Sequence, residues 1–157
     1  MLEQLARAYP ERADIWTALG DVLRRQERYG EAVKAYDKAI ATFTADDPGQ
    51  WPVYYTRGIG HERTKDWPAA EADFRKALAL RPDQPSVLNY LGYSYLERKE
   101  NYDEALAMIE KAVAERPDDG AIVDSLGWAL YRLGRYDEAG GRTGEGGGLV
   151  PGGPGGH

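Results

Sequence analysis

The chain has 157 residues, 42% hydrophobic and 29% charged, the composition of one soluble globular domain. It has no run near the roughly 18 apolar residues of a membrane span and no basic-then-apolar secretory layout in its opening MLEQLARAYPER. Twenty Lys and Arg against 26 Asp and Glu give a net charge of −6, which disfavours nucleic acid as a ligand, and zero cysteines exclude disulfides, thiolate catalysis and the common zinc motifs.

Residues 2–9 read as the end of a second helix from an earlier helix pair. Pro10 precedes the next segment by the same three residues as Pro82 and Pro117 precede theirs, so the chain is expected to begin inside a longer array. From residue 13 a motif then recurs. Trp16-Thr17-Ala18-Leu19-Gly20, Tyr54-Tyr55-Thr56-Arg57-Gly58, Leu88-Asn89-Tyr90-Leu91-Gly92 and Val123-Asp124-Ser125-Leu126-Gly127 each place a large residue four positions before a glycine. The glycines fall 38, 34 and 35 residues apart, and an alanine follows each by 12 or 13 residues, at Ala32, Ala70, Ala105 and Ala139. Three of these alanines open a similar run: Ala32, Tyr36, Ala39; Ala70, Phe74, Ala77; Ala105, Ile109, Ala112. Pro48, Pro82 and Pro117 come after them.

The spacing of Trp16, Leu19, Gly20 and Leu23 puts one apolar stripe on a helix, and Ala32, Tyr36 and Ala39 do the same for its partner. Each repeat is therefore two amphipathic helices, with first helices near 13–26, 51–65, 85–98 and 120–133 and second helices near 30–45, 68–80 and 103–115. Strand should be essentially absent. Glycine inside a helix costs about 1 kcal/mol relative to alanine, so four at one register point to close helix packing. The prolines are expected to stop the second helices.

These residues resemble the tetratricopeptide repeat, a 34-residue helix-turn-helix unit with a large residue, Leu-Gly, Ala-x3-Phe and Pro at fixed offsets. The resemblance implies an all-α fold, a right-handed α-solenoid, over 13–139. Its repeats would span about 13–50, 51–84, 85–119 and an incomplete 120–139, after the helix end in 1–12. Repeat one has four extra residues before Pro48, so its second helix is expected to run long and shift the next repeat outward. Repeat three has an extra residue in the turn around Glu100, and His61 stands where the family usually has Tyr.

The residues carry no catalytic constellation. His61-Glu62-Arg63-Thr64-Lys65 lacks the second histidine of a zinc-protease helix, and His61 reads as a core or interhelix residue. Asp46-Asp47 and Asp118-Asp119 flank the prolines, where carboxylates favour a helix start rather than a cation. The expectation is no enzyme, no metal and no cofactor.

In this family the first helices line the concave surface. The resemblance carries that role to Thr17 and Asp21, Tyr55 and Ile59, Asn89 and Tyr93, and Asp124 and Trp128. One turn further on come Arg24, Glu62, Leu96 and Tyr131. Tyrosine and tryptophan are frequent interface anchors, so the partner-binding residues are expected to be Tyr55, Ile59, Asn89, Tyr93, Asp124, Trp128 and Tyr131. Plain packing of Trp128 and Tyr131 against a following helix is the competing reading. Thr17 and Asp21 replace the family's Lys and Asn carboxylate clamp, which disfavours a chaperone carboxy-terminus as ligand. Arg24, Arg25 and Arg28 are expected to stay solvated at the end of the first helix.

The function expected is a protein–protein interaction scaffold that docks a peptide or helix of an unidentified partner protein in an aromatic groove. It binds no nucleic acid, and this segment does not insert into a membrane. The alternative is self-association into a homo-oligomer through the half repeat, driven by Leu126, Leu130 and Leu133 lacking cover. No compartment is specified: cytoplasm is the default, and periplasm stays open if the chain is excised from a longer protein.

Ten of the 19 glycines lie in residues 140–157, too glycine-rich to pack. Read one nucleotide later, the permitted codons there are compatible with leucine, a basic residue, alanine, leucine and proline in the register of Phe74, Lys76, Ala77, Leu80 and Pro82. The tail is expected to be a frameshifted version of the missing helix, with an appended linker or a natural tail as the alternatives.

Overall fold

A computed structural model of the protein describes residues 1–134. Every regular element among them is helical, and they divide into two compact units, 1–82 and 83 onward. Residues 135–157, which include Ala139 and the glycine-rich segment, lie outside the described residues, and with them the frameshift reading.

The first unit holds α1 (Leu2–Ala8), α2 (Ala13–Arg25), α3 (Tyr29–Ala41), a 3-10 turn (Pro48–Gln50), α4 (Trp51–Arg63) and α5 (Trp67–Leu80). Antiparallel neighbours pack as pairs, α2 on α3 and α4 on α5, while α1 packs on α2 and α3 on α4. The second unit holds α6 (Pro85–Arg98), α7 (Tyr102–Glu115) and α8 (Gly120–Arg132). Here α6 packs on α7, and α8 packs against both.

The repeated glycines are packing residues. A methyl group on Gly20 would sit 2.5 Å from the Tyr36 ring, one on Gly58 2.7 Å from the Phe74 ring, and one on Gly92 2.8 Å from Ile109 Cγ1. Tyr36, Phe74 and Ile109 are themselves fully buried. Each first helix thus gives up a side chain so that the large residue of its own second helix can lie directly on its backbone.

The turns between paired helices are equally regular. Glu27, Lys65 and Lys99 have φ of 61°, 67° and 61°, and Gly134, at the same register, has φ of 75°. Around each of the first three the helix closes with the paired hydrogen bonds of a Schellman turn. For α4 these run from Lys65 N to Glu62 O at 3.0 Å and from Asp66 N to His61 O at 2.8 Å. The extra residue of the third repeat is taken up here, with Asn101 also left-handed at φ 53°.

Two expectations about the first repeat are corrected. Its second helix does not run long, since α3 ends at Ala41, where the Thr42 hydroxyl donates to Ala39 O at 2.7 Å. The four extra residues therefore lie in the connection to α4. Nor does Pro48 stop α3; it opens the 3-10 turn, whose start is capped reciprocally by Asp47 and Gln50. Pro82 and Pro117 do follow shortly after α5 and α7. Asp119 caps α8 by accepting from Ala121 N and Ile122 N, as a carboxylate at a helix start should.

The leucines of α8 and its C-cap also depart from expectation. Leu126 and Leu130 are 6% and 0% exposed, and only Leu133 is half-buried. The predicted uncovered leucine face is absent, in keeping with the packing of α8 against both α6 and α7.

Candidate partner-binding faces

In the first unit, α2 presents Thr17, Asp21 and Arg24 at successive turns. Asp21 Oδ1 accepts from the Tyr36 hydroxyl at 2.6 Å, and Arg24 Nε donates to the same hydroxyl at 3.2 Å. Arg24 is therefore half-buried in a network instead of solvated, which corrects the expectation for it; Arg28 is held by Glu31 through bonds of 2.9 and 2.6 Å. Burial works to lower the Arg24 pKa, but Tyr36 and Asp21 outweigh it and leave it raised.

On α4, Tyr55 and Ile59 are both half-buried. The Tyr55 ring lies 5.9 Å from Trp51 and 6.1 Å from the buried Phe74. Burial pushes its phenol pKa up, and the charge of Arg24 opposes that shift. Tyr55 thus contributes to packing as well as to the surface. His61 is half-buried too, with Nε2 3.8 Å from Asp73 Oδ2.

The second unit gathers more of the expected residues. Asn89, Tyr93 and Glu97 follow at one-turn spacing on α6, and Asp124, Trp128, Tyr131 and Arg132 do so on α8. Trp128 stacks on Tyr131 with ring centroids 5.4 Å apart and planes 28° apart, while the Arg132 guanidinium lies 5.3 Å from the Trp128 centroid. The indole Nε1 donates to Glu97 Oε2 at 3.2 Å. Arg132 reaches the same carboxylate oxygen at 3.3 Å and the carbonyl of Leu96 at 3.2 Å. Tyr93 stands one turn before Glu97 on α6; burial raises its pKa, Glu97 adds to that, and Arg132 opposes it. Asp124 is exposed. Asn89 Oδ1 is buried and finds no hydrogen-bond partner among the described residues. Leu96, expected on this surface, is fully buried; only its carbonyl takes part.

Sequence reasoning missed three residues. Glu97 and Arg132 join α6 to α8 across 35 positions, and nothing in the repeat pattern marks such a pair. Arg57 is different, because the recurring pattern has Leu before its glycine in the other three repeats. Its guanidinium donates to Asp73 at 2.8 and 2.7 Å and to Asp37 at 2.8 Å. Among the described residues, no group of three His, Cys, Asp or Glu is placed to hold a metal ion, and no helix is long and apolar enough to cross a membrane.

Comparison with known proteins follows the same lines. Two family models, each described as tetratricopeptide repeat, match residues 11–83 in one case and 55–119 and 95–146 in the other. A curated relative, the E3 ubiquitin-protein ligase CHIP of Arabidopsis thaliana, is 36% identical over 76 residues, which is 48% of this chain and 26% of that protein. The chain thus spans about a quarter of that relative's length. Among solved structures, MamA from Desulfovibrio magneticus superposes with a TM-score of 0.79 at 20% identity, covering 92% of this chain and 78% of that one. YrrB, described as a TPR protein with an unusual peptide-binding site, superposes with a TM-score of 0.74 at 21% identity over 90% of this chain and 70% of its own. At these identities the likeness is one of fold.

Proposed function

The chain belongs to the tetratricopeptide repeat family, and on that premise we propose that it is an interaction scaffold docking a peptide or helix of a partner protein on the first-helix faces of its units. The observation that carries the reading is the α6–α8 face, where Trp128 is held by Tyr131, Arg132 and Glu97 beside Tyr93. A pre-ordered aromatic group loses little conformational freedom on binding, which is what an anchor needs. The peptide-binding site ascribed to YrrB on the same fold supports it. Tyr55, Ile59, Asn89 and Asp124 complete the set, with Tyr55 and Ile59 acting on the first unit's own face. The steps are capture and release, with no chemical conversion; the ligase activity named for the plant relative belongs to a protein of which this chain matches 26%.

Capture from a native lysate by the immobilised chain, run beside a Tyr93→Ala/Trp128→Ala double variant of equal helicity, tests the proposal. Proteins retained by the wild type and lost from the variant are the expected result; identical sets from both would overturn it. The rival reading, homo-oligomer assembly, loses its main motive now that Leu126 and Leu130 are buried.

A further inference from the structure

The first unit carries a cleft that the first-helix faces do not account for. It encloses about 910 Å³ and lies between α1 and α3 with α2 as its floor, within the range of roughly 300–1,000 Å³ common to ligand clefts. The floor is apolar, made by Trp16, Leu19, Val22 and Leu23. The first-helix face residues Thr17, Asp21 and Arg24 are not part of the lining, so this surface is separate from the aromatic faces.

The charges around the floor are lopsided. On one wall Arg7 pairs with Glu3 at 2.8 Å, and at another point Arg28 pairs with Glu31 at 2.6 Å. That leaves Lys34 and Lys38 of α3, both exposed and without a salt bridge among the described residues, although the Lys34 charge still acts on the Glu31 carboxylate three residues earlier. Their spacing of four residues puts them one turn apart on the same face of α3, with Cβ atoms about 5–6 Å from each other. Lys38 Nζ lies 5.9 Å from the centre of the Trp16 ring, at the junction of basic wall and apolar floor. Both lysines stand over a floor that is aromatic at Trp16 and aliphatic at Leu19, Val22 and Leu23.

We propose that this cleft is a second docking site, and that its ligand is an acidic amphipathic segment of a partner protein. Large apolar side chains enter the floor, and two carboxylates one helical turn apart meet Lys34 and Lys38. A helix supplies both features at once, because residues four apart share a face. Basic segments are rejected by the same two lysines, so the cleft discriminates by charge while the floor supplies most of the affinity.

The test is a display selection of random peptides about 16 residues long, some four helical turns, on the whole chain. The same pool is then counter-selected on a Lys34→Glu/Lys38→Glu variant, which changes two exposed side chains and whose helicity is checked by circular dichroism. The expected outcome is a class of peptides that the variant no longer binds, carrying at least two Asp or Glu beside large apolar residues. Synthesised, these should lose about tenfold or more in affinity on the variant, because their carboxylates then face like charges. They should keep their affinity for the Tyr93→Ala/Trp128→Ala variant, which separates this site from the aromatic face. The proposal is overturned if no class is lost on the variant, if the lost class is not acidic, or if it depends on Tyr93 and Trp128 instead. It is overturned as well if the wild type self-associates in sedimentation and the lysine variant does not, since the occupant would then be a second copy.

Discussion

Arg57 and Asp73 meet side by side, Nε to Oδ2 at 2.8 Å and Nη2 to Oδ1 at 2.7 Å, with the Asp73 side chain only 5% exposed. At the same register the first repeat has Leu19 and Ala35 and the third has Leu91 and Met108. One repeat has thus exchanged an apolar contact for an ion pair. Burial works to lower the Arg57 pKa, and its hydrogen bonds to Asp73 and Asp37 more than offset that.

Removing one partner of such a pair should cost far more than removing both. Arg57→Ala leaves the Asp73 carboxylate buried without its two donors, and an unfolding free-energy loss of about 3 kcal/mol is expected in urea titrations. The double variant Arg57→Leu/Asp73→Met, which restores the third repeat's residues, should come within about 1 kcal/mol of the wild type or exceed it. Equal losses in the single and double variants would contradict this.

Glycine substitutions should divide by sign. Gly20→Ala and Gly58→Ala drive a methyl into the Tyr36 and Phe74 rings, and should lower stability by about 1–3 kcal/mol despite alanine's better helix propensity. Gly30, in α3, has nothing within 4 Å of the added methyl, so Gly30→Ala should raise stability by about 0.5 kcal/mol. Thermal unfolding of the three variants reads both effects.

The turns offer a gain of the opposite kind. Lys65, at φ 67°, holds a conformation that costs an L-residue about 1–2 kcal/mol and glycine almost nothing. Lys65→Gly and Glu27→Gly should each raise the melting temperature, by an amount corresponding to about 1 kcal/mol at most, since glycine also loosens the unfolded chain. A fall in both would show that the side chains, not the backbone, govern these turns.

Anchor residues of the two units should behave differently. Trp128→Ala is expected to weaken partner binding by about 2 kcal/mol or more, measured by calorimetry on a captured partner, at a small stability cost. Tyr55→Ala should lose stability by about 1–2 kcal/mol even without a ligand, because its ring packs on Phe74 and Trp51.

How much of this was legible in the sequence depends on whether a contact is local or periodic. The helix pairs were legible because Gly20, Gly58 and Gly92 recur in step with Tyr36, Phe74 and Ile109, and each such pair is a contact within one repeat. The end of α3 was not, because the spare residues before Pro48 could equally extend a helix or a loop, and the Thr42 hydroxyl and the Asp47 cap favoured the loop. Arg24 was misread as solvated because its partner Tyr36 lies 12 residues away on another helix. The tie from Trp128 to Glu97 spans 31 residues and follows no periodicity. Arg57 was visible as the one break in a leucine column, a signal that called for a partner charge to be sought.

Arg57 also has a carboxylate neighbour in the preceding repeat. Its third hydrogen bond goes to Asp37 of α3, so a cation in the second repeat is answered by carboxylates from both the first and the second. With a copy of the third repeat after it, the first would lose this link, and the second, standing first, would keep only Asp73; because the Asp37 side chain is 52% exposed, either loss should cost about 1 kcal/mol at most. In this chain a single side chain therefore tilts the succession of the first two repeats toward the order seen, a bias small enough for ordinary packing differences to outweigh.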